Sequence, residues 1–495
     1  MAYIDKRTFV IPADRIRREP TLGSTTANIS AGKTFTNVNI DVARPASWVT
    51  NGDTATANYV HGGLSGEDQS DPYITLDLGQ IYALDTIKVW HYNGDSRTYY
   101  NTQTQVSLNG VDWITVFDGP DYAESSAGKT HSFSPILARY MRDKIEGSTA
   151  NTGNHWVEIQ VFGTTDYTTV DSLTDFPITI NFNSNNFDFT KVRADGFDIE
   201  FFDSEDSPLI FEREHFDQAG SSGIFHVKIP SLSIISEKRI TIKHNDAGQS
   251  TDKSDSNNVW DSNYVMVQHM GNSLIDSTGN GNDLNNSGAI LVDGQNGKAR
   301  SFDGVTQYMN DVDFSLGTNP LFTVLMVWTP LATQAAPGPW GLGAGGVSQQ
   351  TISSYNLGIA IGFDLWGQTT MHGEWLLKTE NEAMVAHWIK KDGADFGSED
   401  AIFYKNGNSA NITVTRDAGT IPALTDGFAL GRIGATSDSH YCPSIIDEVR
   451  ISNIVRSSEW IDAEYKSLFG LLGVLLPLKR AITAVAIGKP IVSRI

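Results

Sequence analysis

The stretch YITLDLGQIYALDTIKVWHYNGD, residues 73–95, decides how the chain is read. Ile74, Leu76 and Leu78 alternate with Thr75 and Asp77, and the run from Leu84 to Tyr92 repeats that period of two, as half-buried β-strands do. Gly79 and Asn93-Gly94-Asp95 punctuate the runs. The same pattern continues outward. TQTQVSLNG (102–110), DWITVFDG (112–119) and WVEIQVFG (156–163) are further alternating runs, separated by turn residues about every 8–12 positions, the form of an antiparallel sandwich or jelly roll. Asn109-Gly110, between two of them, predicts a hairpin.

Beyond residue 166 the strand pattern returns in FPITINFN (176–183), FDIEFFDS (197–204), IFHVKIPSL (224–232), KRITIKHN (238–245), LFTVLMVWTP (321–330) and SIIDEVRIS (444–452). Only VRSSEWIDAEYKSL (455–468) has helical spacing, with Ser457 as an N-cap and Trp460, Ile461, Tyr465 and Leu468 on one face. The fold class is therefore all-β. At roughly 150 residues per domain, 495 residues imply about three. We expect three tandem β-sandwich or jelly-roll domains at 23–164, 165–267 and 268–468, with an extended N-terminal arm (1–22) and an apolar C-terminal tail (469–495). The arm, with Arg15, Arg17 and Arg18, is too short for a core and is expected to be flexible or ordered on a partner. The tail is interrupted by Pro477, Lys479 and Arg480, short of the roughly 20 apolar residues of a membrane span. It is expected to add a strand to a neighbour or to pack within a homo-oligomer.

Lys and Arg number 36 against 58 Asp and Glu, a net charge of −22. Such a surface repels nucleic-acid phosphates and anionic membranes, and leaves neutral sugars and divalent cations as partners. Cys442, the single cysteine, excludes a disulfide framework and thiolate metal clusters, and its strand-like neighbours imply a buried, inert thiol. GxSxG, HExxH and P-loop strings are absent, and TENEAMV (379–385) offers Glu380 and Glu382 without the third acid of an E-x-D-x-x-E strand. No enzyme is expected. Asp447 and Glu448 are adjacent on a strand, so alternation should turn them to opposite faces. The stretch DSTGNGND (276–283) lacks the terminal Glu of a calcium loop and is read as a turn.

WHYNGDSRTYYN (90–101) gathers Trp90, His91, Tyr92, Asp95, Arg97, Tyr99 and Tyr100 around one Asn-Gly-Asp turn. Aromatic faces for the C–H surface of a pyranose, beside charged groups for its hydroxyls, are what sugar binding requires. Trp90, His91, Tyr92, Asp95, Arg97 and Tyr99 are the candidate carbohydrate ligands, joined by His155 and Trp156 after GSTANTGN. The competing reading turns Trp90, Tyr92 and Trp156 into the core and pairs Arg97 with an acid. The turn Asn51-Gly52-Asp53-Thr54 offers oxygen ligands suited to Ca²⁺.

ITLDLGQIYALDTIKVWHYNGD, VSLNGVDWITVFDG, ARYMRDKIEGSTANTGNHWVEIQVFG and NGDTATA together resemble the discoidin, or coagulation-factor type C, family and the related family-32 carbohydrate-binding modules. The resemblance implies a sandwich that binds its ligand in loops at one end, and a calcium-binding carboxylate at Glu158, with Asp53 as partner. One departure is plain: NYVHGG (58–63) stands where the family usually has Trp. FPITINFNSNNFDFTKVRADGFDIEFFDSED and NNVWDSNYVMVQHM are similar to a small β-sandwich of undefined function. DSTGNGNDLNNSGA, SFDGVTQYM, FYKNGN and IIDEVRIS resemble the concanavalin-A-like, laminin-G-type jelly roll.

These modules are typical of secreted adhesive proteins, yet MAYIDKRTFVIPADRIRREP has no secretory h-region. Virions leave by lysis and need none. The expectation is a non-enzymatic protein of a tailed-bacteriophage virion surface that binds glycans and contacts other virion proteins through its arm or tail. The alternatives are a secreted or surface adhesin and an accessory part of a glycoside hydrolase.

Overall fold

The computed structural model describes residues 5–12, 15–16, 20–36, 43–62, 73–119, 122–169, 172–233, 236–246, 248–318, 320–331, 336–343, 351–357, 360–365, 369–377, 381–391, 401–409, 412–416, 427–436 and 440–476. The protein is all-β, and its two compact units are Arg17–Asp171 and Met1–Ile16 joined with Ser172–Ile495.

In the unit Arg17–Asp171, one antiparallel sheet runs in the order Ala27–Asn28, Asn154–Thr164, Tyr73–His91, Lys129–Lys144, Gln103–Ser107, Ile114–Asp118, with Val60–Gly62 added beside Asn154–Thr164. Tyr73–His91 is 19 residues long. Its ladder with Lys129–Lys144 breaks register between Ser132 and Ile136 and again between Ala138 and Tyr140. Such bulges bend the strands, so the sheet curls over one core. Ile74, Leu76 and Leu78 from one half of the long strand meet Ile87 and Val89 from the other there, with Met141, Trp156, Ile159 and Val161. The expected hairpin is present: Gly110 takes φ 77°, and Asn109 Oδ1 accepts the amides of Val111 and Asp112.

In the other unit the expected arm is corrected. Asp5–Ile11 pairs along its whole length with Lys238–His244 and, on its other edge, with Val474–Leu475. Phe9, Ile11 and Ile16 enter a core with Phe176, Phe201 and Phe225. A short apolar segment needs no core of its own when an open sheet edge can pair its backbone. The tail is corrected for the same reason: Val474–Leu475 adds its strand to this chain rather than to a neighbour. Arg17, Arg18 and residues 477–495 lie outside the described residues.

The core around Phe176 is enclosed by the four-stranded sheet that holds Asp5–Ile11 and by the three strands Ser172–Asn183, Ser222–Ser233 and Phe211–Asp217. A second core, with Trp328, Trp340, Trp388 and the buried thiol of Cys442, belongs to two eight-stranded sheets. The helix Ser458–Leu468, capped by Ser457 accepting the Trp460 amide, packs in several directions. Trp460 and Ala463 join the Phe176 core, Ile461 meets Ile389 and Tyr404, and Leu468 meets Leu325 and Val327. This wedge ties the Phe176 core to the strands Phe322–Pro330, Met384–Lys390 and Ala401–Lys405, across the expected break at 267/268, and one compact unit contains them all. The only other α-helix among the described residues is the single turn Ser256–Val259. Among the described residues no helix is long and apolar enough to cross a membrane.

Ile11→Ala is expected to cost about 2–5 kcal/mol in chemical denaturation of the full chain, as a truncated core aliphatic does. A cost below about 0.5 kcal/mol, the scale of a surface change, would remove Asp5–Ile11 from the sheet.

Candidate carbohydrate-binding site

The strand Tyr73–His91 ends beside Asn154–Thr164, where the Tyr92 amide donates to the His155 carbonyl. The loop that follows carries Asp95 and Arg97. Arg97 donates to both Asp95 oxygens, at 2.7 and 2.6 Å, and through Nη1 to His155 Nδ1 at 3.2 Å. Its guanidinium sits 4.6 Å from the centre of the Tyr92 ring. The Tyr99 hydroxyl lies 3.1 Å from the same His155 Nδ1. Tyr92, Asp95, Arg97 and His155 therefore converge.

The upstream loop adds three residues that sequence patterning missed. Tyr59 stands edge-on to Tyr92 and to His155, each at 5.2 Å, and Arg44 lies 3.8 Å over the Tyr59 ring. His61 stacks on His155, with centroids 4.7 Å apart and planes within 6°. Two of the three come from NYVHGG, the segment that replaces the family's Trp, and that departure was the available signal. Gly153 lets the backbone lie against this pair: a Cβ there would meet His61 Nε2 at 2.6 Å and His155 Cε1 at 2.9 Å.

Charge and burial fix the protonation pattern. Burial, with the positive charges of His61, Arg97 and Arg44 nearby, pushes His155 down to about 3. It stays neutral, so its Nδ1 accepts from Arg97. Arg97 in turn holds the Asp95 carboxyl below the usual carboxylate range. The cluster offers hydrogen-bond donors, an exposed carboxylate acceptor and half-buried tyrosine faces. That set suits a neutral polyhydroxylated ligand.

Arg97 and His155 are themselves buried, at 7% and 6% exposed, so Tyr92 and Asp95 form the open side of the cluster; the remaining candidates are interior as well. Trp156 is fully buried and gives its indole N–H to Asp143 Oδ2 at 2.9 Å. Trp90 bonds the Ser126 carbonyl, and Gly128 closes over its indole, where a Cβ would come within 2.5 Å. Tyr99 is buried, with its hydroxyl on His155 and its ring 5.9 Å from the Arg97 guanidinium. His91 lies between Glu124 Oε1 at 2.5 Å and Asp143 Oδ2 at 2.9 Å. Trp90 and Trp156 thus follow the core reading, and Arg97 pairs with an acid while remaining in the cluster.

Glu158 and Asp53 are brought together by the turn. Both Glu158 oxygens lie 3.2 Å from the Gly52 amide, and Asp53 accepts from Ala55 N and Asn58 Nδ2. Burial, reinforced by the charge of Asp53, pushes Glu158 up to about 7. No basic side chain forms an ion pair with Glu158 among the described residues. A buried acid beside a second carboxylate, with oxygen donors only, fits Ca²⁺ on charge and chemistry.

Residues 49–142 match the family described as the NedA-like, galactose-binding domain. This stretch is a discoidin-type, carbohydrate-binding-module-like domain. The family-32 module of NanJ from Clostridium perfringens, solved with galactose, is 20% identical, with 28% of this chain and 98% of that chain covered at a TM-score of 0.24. Domain 4 of AbnA, an extracellular arabinanase of Geobacillus stearothermophilus solved with arabinotriose, is 18% identical, covering 40% and 96% at 0.32. A family 89 glycoside hydrolase of C. perfringens is 22% identical over 28% of this chain, which spans 15% of that enzyme's length, at 0.25. At these identities the likeness concerns the fold alone. No curated protein matches the chain.

The buried His91 makes one pH effect readable. Burial alone would lower its pKa, but the carboxylates of Glu124 and Asp143 raise it from 6.5 to about 10. A raised folded-state pKa stabilises fully below 6.5, and that contribution is lost as pH rises through about 10. The melting temperature of the full chain is expected to fall across that window, and His91→Gln to flatten the fall. An identical slope in the variant would show that His91 is not charged in the fold.

Proposed function

We propose that the chain is a non-enzymatic adhesive protein whose discoidin-type domain holds glycans at the cluster of Tyr92, Asp95, Arg97 and His155, flanked by Arg44, Tyr59 and His61. The observation that carries this reading is the locked Arg97, which is bidentate on Asp95, bonded to a neutral His155 and stacked on Tyr92. Such a group holds the exposed Asp95 carboxylate and the half-buried Tyr92 ring in fixed positions, which pre-pays the ordering cost of binding. The net charge of −22 turns the choice toward neutral sugars, with a galactose-type ligand as the first to try.

Arg97→Ala and Tyr92→Ala are each expected to weaken binding of a galactose-terminated probe about 10- to 100-fold, the loss of a charged hydrogen-bonding group or of its platform. The exposed hairpin variant Asp112→Ala serves as control. Undiminished binding in both site variants would end the assignment.

Calcium at Glu158 and Asp53 belongs to the same proposal, as a brace for the turn beneath the upstream loop. A ligand that binds only the folded state raises its melting point, so a chelator should lower the midpoint and added Ca²⁺ restore it. A midpoint indifferent to both removes the metal.

The setting we propose is the surface of a tailed-phage virion, where homo-oligomeric copies would contact host or environmental glycans. A tandem array of β-sandwich recognition scaffolds, without a hydrolase string in the sequence, supports it. The chain is expected to travel with purified particles through a density gradient. Its absence from them would move the protein to a cell surface, or to accessory duty beside a glycoside hydrolase.

A further inference from the structure

A second polar centre lies in the unit that contains Ser172–Ile495, and the glycan reading makes no use of it. The strand Phe211–Asp217 carries Glu212 and Glu214, Ser222–Ser233 carries His226, and His269 follows Tyr264–Gln268. Glu214 Oε2 lies 2.7 Å from His226 Nε2 and 3.7 Å from His269 Nδ1. One donor atom from each of Glu214, His226 and His269 falls within 4.8 Å of the other two. The imidazoles stack, with centroids 4.6 Å apart and planes 9° from parallel. Glu214 and His269 line a cavity of about 890 Å³ that reaches the surface at the exposed Asp293 and Lys298.

Three observations indicate that this is more than a cluster of acids. His269 Nε2 is buried without a hydrogen bond, although Glu212 Oε1 is only 3.3 Å away. His226 is buried, and its Nε2 is turned to the Glu214 carboxylate. Carboxylates also crowd the centre: Glu448 Oε2 lies 2.7 Å from His269 Nδ1, and its Oε1 is paired with Arg450 at 2.7 Å. Strand alternation was expected to part Asp447 from Glu448. The ladder with Phe322–Pro330 skips Asp447 at a bulge, and the two acids take different partners: Asp447 Oδ2 accepts the Asn296 amide, and Glu448 bonds His269 and Arg450.

We propose that Glu214, His226 and His269 bind one divalent transition-metal ion of the zinc class, with a remaining coordination position facing the cavity. Two imidazoles are borderline donors, which favour zinc, cobalt or nickel over calcium and magnesium even beside one hard carboxylate, and three protein ligands leave a position open. The supporting groups are already in place. His226 Nδ1 lies 3.2 Å from Thr179 Oγ1. Glu212, beside His269, is fixed by Trp260 Nε1 at 3.0 Å and Ser277 Oγ at 2.7 Å. Outer partners of this kind orient ligand imidazoles and set their basicity.

The test is calorimetric titration of the metal-stripped full chain with Zn²⁺, with Co²⁺ absorption as a second reporter. One Zn²⁺ per chain is expected, and a Co²⁺ spectrum of low-symmetry nitrogen and oxygen coordination. Glu214→Gln, on the cavity wall, and His226→Gln should each abolish that binding while near-ultraviolet circular dichroism is retained. Glu212→Gln should weaken it about 10- to 100-fold. The wild-type titration stands whatever a variant does: failure of the folded wild-type chain to bind Zn²⁺ or Co²⁺ saturably would overturn the proposal. Unchanged stoichiometry and affinity in Glu214→Gln would do the same.

Discussion

Asp143 is the constraint on which the discoidin-type domain depends. Its carboxylate is buried and accepts from His91 Nε2 at 2.9 Å, Trp156 Nε1 at 2.9 Å and Thr104 Oγ1 at 2.8 Å. These four residues sit on four neighbouring strands. A buried charge without partners costs several kcal/mol, so the strands must hold the register that satisfies it. His91 and Trp156 face each other in that register, and their chain neighbours Tyr92 and His155 form the next pair outward. Turning one pair inward places the other at the loop end, because successive strand side chains point to opposite sides.

Histidine performs opposite tasks in the two units because opposite fields surround it. His155 lies among Arg44, His61 and Arg97 and is held neutral, so it can accept a directed bond from a guanidinium. His269 lies among Glu212, Glu214 and Glu448 and is driven toward the charged form. A neutral imidazole in a basic rim is suited to uncharged ligands. An imidazole pair beside a buried carboxylate is suited to a metal cation.

The unit holding Ser172–Ile495 is organised around another buried acid. Glu464, on the helix Ser458–Leu468, accepts the Tyr264 hydroxyl at 2.7 Å and lies 3.2 Å from His387 Nε2 and 3.6 Å from Arg450 Nη1. Tyr264 takes the Trp460 indole N–H in turn, at 3.2 Å. The polar chain therefore runs through the same wedge that carries Trp460 into the Phe176 core. Apolar burial supplies attraction without direction, and the carboxylate network supplies the orientation.

Periodicity was enough to establish the all-β class, the Asn109-Gly110 hairpin, the helix with its Ser457 cap and the buried Cys442, because each is a local property of a few consecutive residues. The loop at 92–97 was also legible, since polar and aromatic types crowd there around a turn. Which of those aromatics face a ligand was not. Trp90 and Trp156 look the same as Tyr92 in sequence, and only the bonds to Ser126 and Asp143 take them out of reach. Arg44 carried no local signal, Tyr59 and His61 were marked only by the departure of NYVHGG from the family pattern, and residues 5–11 read as an arm because the open edge of Lys238–His244 lies more than 220 positions away. Glu214, His226 and His269 are commonplace strand and loop residues until two sheet strands and a turn bring them together. Local pattern follows from the chain's own chemistry, whereas a site depends on which distant residues must share a buried charge, and that is decided only when the strands pair.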